Sequence, residues 1–141
     1  MQRTNPRQRG FTLIELLVVL VILGLLMSVV GPRVMQYVGG AKSDTARLQI
    51  QDLAASLDMY NLEVGKYPSQ EAGLKALVEQ PANTPRWKGP YLRKPKVPQD
   101  PWDRDYVYRI PGEHGPFDLS SLGQDGQPGG EGDDADIVSW E

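Results

Sequence analysis

Hydrophobic positions fall into three regimes along the chain. From Phe11 to Pro32 they are nearly continuous, and Glu15 is the single charge inside the run. From Ala46 to Val64 they recur in a four-three-four-three-four stride, at Ala46, Ile50, Leu53, Leu57, Tyr60 and Val64. After Gly65 they break into short runs. A continuous stretch of about twenty apolar residues predicts a helix long enough to span a bilayer. The stride predicts an amphipathic helix whose stripe is plain core packing, with Lys42, Asp44, Arg47, Gln51, Asp52 and Asp58 largely off it. Between the two, Gly31 and Pro32 predict an interruption and a kink, because proline removes a backbone donor and clashes with the preceding turn. Gly65 is placed as the C-cap.

In "KYPSQEAGLKALVEQP", Ser69 is placed as an N-cap, and Leu74, Leu77 and Val78 predict a short helix ended by Pro81. A proline-rich loop follows from Pro81 to Pro101. "DYVYRI" (Asp105 to Ile110) alternates as a strand does, and "FDLSSL" (Phe117 to Leu122) does so more weakly. The turn "PGEHG" between them predicts an antiparallel pair packed on the long helix. No internal repeat is visible. The predicted class is α+β: one long helix, transmembrane and then amphipathic, on a small antiparallel sheet.

Composition sharpens this picture. The 141 residues leave room for one domain, and the part beyond the apolar run can bury only a modest core. There is no cysteine, which excludes a disulfide framework, a thiolate metal site and a cysteine nucleophile. Of the 12 Pro and 15 Gly, ten of each follow Val64, so short elements and many turns are expected there. Arg3, Arg7 and Arg9 make the N-terminus basic, a bias that keeps that end of a membrane helix cytoplasmic. This basic head is too small for a nucleic-acid footprint. A cleaved secretory signal would end at small residues spaced like A-x-A, which "LLMSVVGPRVM" does not provide, so the run reads as a retained anchor. His114, the only histidine, reads as a surface turn residue, and Trp87, Trp102 and Trp140 read as core or rim packing. No catalytic constellation or phosphate loop is present in the sequence, so the chain reads as a non-enzyme.

Two features call for chemistry. The first is Glu15. An acidic residue near the middle of a membrane helix is disfavoured by about 2.5–3.5 kcal/mol on insertion scales. Near a helix end the carboxylate can reach the headgroups, or it can meet a cationic partner, which a new N-terminus nearby would supply. The second is "LGQDGQPGGEGDDADIVSWE". There Asp125, Glu131, Asp133, Asp134 and Asp136 crowd a glycine-rich loop, and no Lys or Arg follows Gly123. A disordered acidic tail accounts for the charge and the glycine. A calcium site accounts for the acids together with the apolar Ile137, Val138 and Trp140 that follow, since Ca²⁺ takes six to eight oxygens in flexible geometry. The spacing is not that of an EF-hand, and composition leaves these two readings level.

The run Gly10, Phe11, Thr12, Leu13, Ile14, Glu15, with basic residues before it and an apolar stretch after, resembles the signal of the type IV pilin-like family. The resemblance implies that a prepilin peptidase cuts between Gly10 and Phe11 and N-methylates Phe11. It also implies that Glu15 pairs with the terminal amine of a neighbouring subunit during fibre assembly. "YNLEVGKYPSQEAGLKAL", "PQDPWDRDYVYRIPGEHGPFDLSSLGQDG" and "DADI" are similar to the major pseudopilins of the type II secretion system, over nearly the whole chain. That likeness implies a leader at 1–10, a transmembrane and assembly helix at 11–31 and a periplasmic domain at 32–141. It implies Ca²⁺ in the C-terminal loop, with Asp125, Asp136, the carbonyls of Leu122 and Gln127, and Asp133 or Asp134 as ligands.

The function implied is that of a structural subunit, anchored in the bacterial inner membrane. It polymerises into a helical periplasmic fibre and helps drive folded proteins across the outer membrane. Its implied partners are further copies of itself, minor pseudopilins and the inner-membrane secretion platform. A surface pilin for adhesion or motility is the alternative; such pilins usually carry a C-terminal cysteine pair, absent here. A membrane-anchored calcium-binding receptor or enzyme is a third reading, and it leaves Gly10 and Phe11 beside Glu15 unexplained.

Overall fold

The computed structural model describes residues 10–141. Arg3, Arg7, Arg9 and all but Gly10 of the expected leader lie outside the described residues. The described chain divides into two compact units, one ending at Tyr37 and the other starting at Val38. Helix α1 covers Leu13–Val64.

In the first unit α1 carries apolar side chains that all face solvent, from Leu13 to Val34. The helix is long and apolar enough to cross a membrane. The interruption expected at Gly31 and Pro32 does not occur: α1 runs through both residues. Pro32 cannot donate to the carbonyl of Ser28, but a single missing bond leaves the turns on either side intact.

In the second unit the predicted stripe is the core. Ala46, Ile50, Leu53, Leu57 and Tyr60 are at most 2% exposed, and Val64 is buried at the end of the helix. Gly65 closes α1 with φ +90°, its N–H donating to the Asn61 carbonyl at 2.7 Å. A left-handed residue at this position fits glycine, as expected.

The short helix expected after Ser69 forms as a 3-10 turn over Gly73–Leu77. It ends before Val78 rather than running to Pro81. Ser69 still holds its start, accepting the Ala72 N–H on its hydroxyl (3.2 Å) and the Gly73 N–H on its carbonyl (2.9 Å). Gly73 at φ +53° is left-handed and breaks the chain away from the preceding turn, so a regular helix does not run through it. Leu74, Ala76 and Leu77 join the core. The proline-rich loop lies against the same cluster through Trp87, Tyr91, Leu92 and Val97, and the Trp87 indole donates to the Ala76 carbonyl at 2.7 Å.

Strands β1 (Val107–Arg109) and β2 (Asp118–Ser121) pair antiparallel, with Tyr108 opposite Leu119. Both are shorter than predicted. The N–H of Ile110 goes to the Gln70 side-chain carbonyl (2.9 Å), and the Gln70 amide donates to the Tyr108 carbonyl (2.8 Å). This side chain occupies the open edge of β1 and guards it from pairing with other strands. A third strand, β3 (Ile137–Val138), joins the far edge of β2, with Ser121 opposite Ile137. The sheet order is β1-β2-β3. Tyr106, Tyr108, Leu119 and Ile137 bury against the α1 stripe.

Candidate functional site

The first candidate site is the start of α1. Thr12 precedes the first helical residue, and its hydroxyl accepts the Glu15 N–H at 3.3 Å. In return Oε2 of Glu15 accepts the Thr12 N–H at 2.8 Å and the Thr12 hydroxyl at 3.1 Å. This is a reciprocal capping box, which satisfies two of the helix's unpaired donors and sets an anion at the positive end of its dipole. The T-x-x-E spacing ahead of an apolar run carries that signal in the sequence. Gly10, Phe11 and Glu15 are all exposed, so the peptide bond between Gly10 and Phe11 is open to solvent.

The second candidate site is the acidic loop between β2 and β3, and the expected ligands there behave differently from one another. The Leu122 carbonyl accepts the Gly126 N–H at 3.1 Å. Oδ1 of Asp125 accepts the Gln127 N–H at 2.9 Å, closing a tight turn. Oδ2 of Asp136 accepts the Gly129 N–H at 2.9 Å. Oδ1 of Asp136 is buried without a partner, the one such side-chain atom among the described residues. The Asp133 carboxylate lies against α1 at Gly39, where an added Cβ would sit 2.0 Å from Oδ2. Among the described residues, no three acidic or histidine side chains converge on one point. An orphaned buried carboxylate oxygen is costly unless a donor or cation meets it, and that oxygen fits a hard cation such as Ca²⁺.

Around the loop, two buried carboxylates organise backbone. Asp100 is 3% exposed; Oδ1 accepts the N–H groups of Trp102 (3.0 Å) and Arg104 (2.9 Å), and Oδ2 accepts the Ser121 hydroxyl (2.6 Å). Asp118, the first residue of β2, accepts the N–H groups of Glu113 (2.8 Å) and His114 (3.2 Å) in the β1–β2 turn. His114 is exposed, as expected of a turn residue. Its ring nevertheless lies 3.1 Å from Asp118 Oδ2 and stacks on Trp140, with centroids 4.0 Å apart. Trp140 thereby fastens the C-terminal segment to the turn.

The chain matches the model of the type II secretion system protein G family over residues 33–140, and the prokaryotic N-terminal methylation motif over residues 5–31. It belongs to the protein G family. It is 50% identical to the type II secretion system core protein G of Pseudomonas aeruginosa, across 100% of this chain and 99% of the relative. It is 45% identical to that of Vibrio cholerae, across 95% of this chain and 92% of the relative. The crystal structure of the major pseudopilin from the type 2 secretion system of enterohaemorrhagic Escherichia coli is similar, with a TM-score of 0.62 at 36% identity. The likeness covers 75% of this chain and 88% of that one. A protein G subunit is a structural pseudopilin, and the long helix with its small antiparallel sheet agrees with that fold.

For this protein G chain the Asp118 turn gives a pH dependence. Burial works to raise the Asp118 carboxyl, but the N–H groups of Glu113 and His114 and the His114 ring outweigh it and hold the group below the usual aspartate range. A depressed folded value contributes stability above the unfolded pKa of about 3.9, and that stability is lost as pH falls below it toward the folded value. Asp118→Asn should therefore melt below wild type at pH 7, by a gap that is narrower at about pH 3, below the unfolded pKa. An equal gap at both pH values would show that Asp118 acts through packing alone.

Proposed function

We propose that this chain is the subunit that polymerises into the periplasmic pseudopilus of the type II secretion system, anchored in the inner membrane by residues 11–31 with its C-terminal domain in the periplasm. The supporting observation is the start of α1: an accessible Gly10–Phe11 bond, then a capped carboxylate, then an exposed apolar helix. Prepilin peptidase cleaves that bond and methylates Phe11. Subunits then pack by their α1 helices through heterologous contacts that continue into a helical fibre rather than close into a ring. In the apolar surroundings of the fibre, Glu15 meets the terminal amine of the next copy, and the pair offsets the desolvation of both charges. Minor pseudopilins and the inner-membrane platform are the further partners.

Glu15 separates capping from docking. Glutamine also serves at the third position of a capping box, so Glu15→Gln keeps the helix start and removes only the charge. The variant should insert and be processed but form no pseudopili by electron microscopy; normal fibres would leave the cap as the sole role of Glu15. Processing has its own readout. Intact mass of the membrane-purified chain should place a methylated Phe11 at its N-terminus, and Gly10→Val should leave the leader attached.

The C-terminal loop is the proposed Ca²⁺ site of this subunit. Asp136 through its unpartnered oxygen and Asp125 supply carboxylates, and the carbonyls of Leu122 and Gln127 supply neutral oxygens. Asp134 is preferred over Asp133, whose carboxylate is set against Gly39. The ion supplies positive charge that cross-links three of the loop's five acids in a chain without disulfides. A ligand bound only by the folded state at about a hundred times its Kd adds about 2.7 kcal/mol. The melting temperature of the full chain in detergent should rise with calcium over EGTA, and Asp125→Ala should lose most of that rise. Magnesium should substitute poorly, because it demands a tight octahedron and keeps its waters. Equal melting in EGTA, calcium and magnesium would reduce the loop to an acidic tail.

A further inference from the structure

One cation is built into the acidic loop. Arg104 reaches across from the loop before β1 and donates from Nη1 to the Gly123 carbonyl (2.6 Å) and from Nη2 to the Gln124 carbonyl (2.8 Å). Its planar fork reaches two successive peptide groups in a fixed geometry, whereas an ammonium offers rotatable donors from a single point. The guanidinium rests on the bare α-carbon of Gly126, where an added Cβ would lie 2.7 Å from Cζ. The other end of the residue is equally fixed. Its N–H donates to Asp100, whose second oxygen holds Ser121 in β2.

Arg104 thus ties residues 123–126 to the sheet through a buried carboxylate. It makes no ion pair within 4 Å among the described residues, so the loop's carboxylates stay available for another cation. Gly123 and Gly126, at φ +61° and +70°, take left-handed conformations that an unbraced loop leaves readily. The Leu122–Gly126 hydrogen bond closes this same turn, between the proposed ligands Leu122 and Asp125.

We propose that Arg104 is a positioning residue for the cation site: it holds residues 122–126 in their binding shape before the ion arrives and so raises calcium affinity. This inference rests on the calcium reading of the loop. It runs against simple electrostatics, since a positive charge beside a cation site weakens binding by Coulomb repulsion, and its removal would then tighten it. Preorganisation predicts the opposite sign, because the ordering entropy is already met in the free state.

The test compares wild type, Arg104→Ala and Arg104→Lys as full chains in detergent. Calcium titration by calorimetry should give a Kd at least about tenfold weaker in both variants, the size expected for losing hydrogen bonds from a charged donor. In EGTA, amide hydrogen exchange should quicken at residues 123–126 and stay unchanged at Ile50 and Leu57, which shows that the variants remain folded. Equal or tighter calcium binding in Arg104→Ala overturns the positioning role. Unchanged exchange at residues 123–126 overturns the brace itself. A wild-type chain that takes up no calcium overturns the calcium reading and with it the proposed affinity effect, while the exchange data still report on the brace.

Discussion

The domain from Val38 onward depends on the burial of one helical stripe. Short strands and a 3-10 turn have little stability of their own, because an isolated hairpin is marginal in water. Here β1 has three residues, β2 four and β3 two. What makes them persist is the row from Ala46 to Val64, onto which Leu77, Tyr106, Tyr108, Leu119 and Ile137 close. A helix presents its apolar side chains in a fixed row, and each peripheral segment needs only one or two residues that meet it. The loops between those anchors are therefore left to vary without losing the core.

A second constraint follows from composition. A segment rich in proline and glycine, with no disulfide, has many backbone groups that no ladder satisfies. This chain meets them with side chains. Asp100, Asp118, Gln70, Arg104 and the Trp87 indole each hold backbone that is distant in sequence or turned back on itself. Most of these contacts converge on the sheet, so the same groups that satisfy the turns also set the acidic loop beside β2. The loop is the outlier, since Asp136 is left with a buried oxygen that no protein donor reaches. In a region where other buried polar groups are matched, this mismatch is the observation behind the proposed ion.

The parts of this fold that were legible in the sequence are those set by local periodicity. The stripe at 46, 50, 53, 57, 60 and 64 is the core, residue for residue, and Gly65 ends the helix where its lack of a Cβ permits. The one long helix is present, but the interruption expected at Pro32 is not, because the lost hydrogen bond is local while α1 is held by many others. The strands were placed but drawn too long, because Gln70 satisfies Ile110 from 40 residues away, a pairing without local signature. β3 was legible only as an apolar closing segment. At the candidate sites the residue types were readable and their geometry was not. Nothing in the string separates Asp133, turned toward Gly39, from its neighbour Asp134, and nothing ties Arg104 to carbonyls 19 and 20 residues on. Thr12 is the exception: its spacing to Glu15 is itself the signature of a capping box.

Under the proposed docking role, that spacing also bears on how one carboxylate would serve a lone helix and a fibre. Both Thr12 bonds fall on Oε2 of Glu15. In the free subunit the cap and the helix dipole stabilise the anion at the tip of α1, where it also lies close enough to the helix end to reach polar surroundings. Oε1 takes no part in the cap. A partner amine can therefore approach that oxygen without breaking the helix start, and the cap fixes the direction from which it must come. An aspartate, one methylene shorter, would have to trade one contact for the other. A glutamate three residues after a threonine keeps both, so in the proposed assembly the helix would be complete beforehand and Oε1 would stay open to the amine of the next copy.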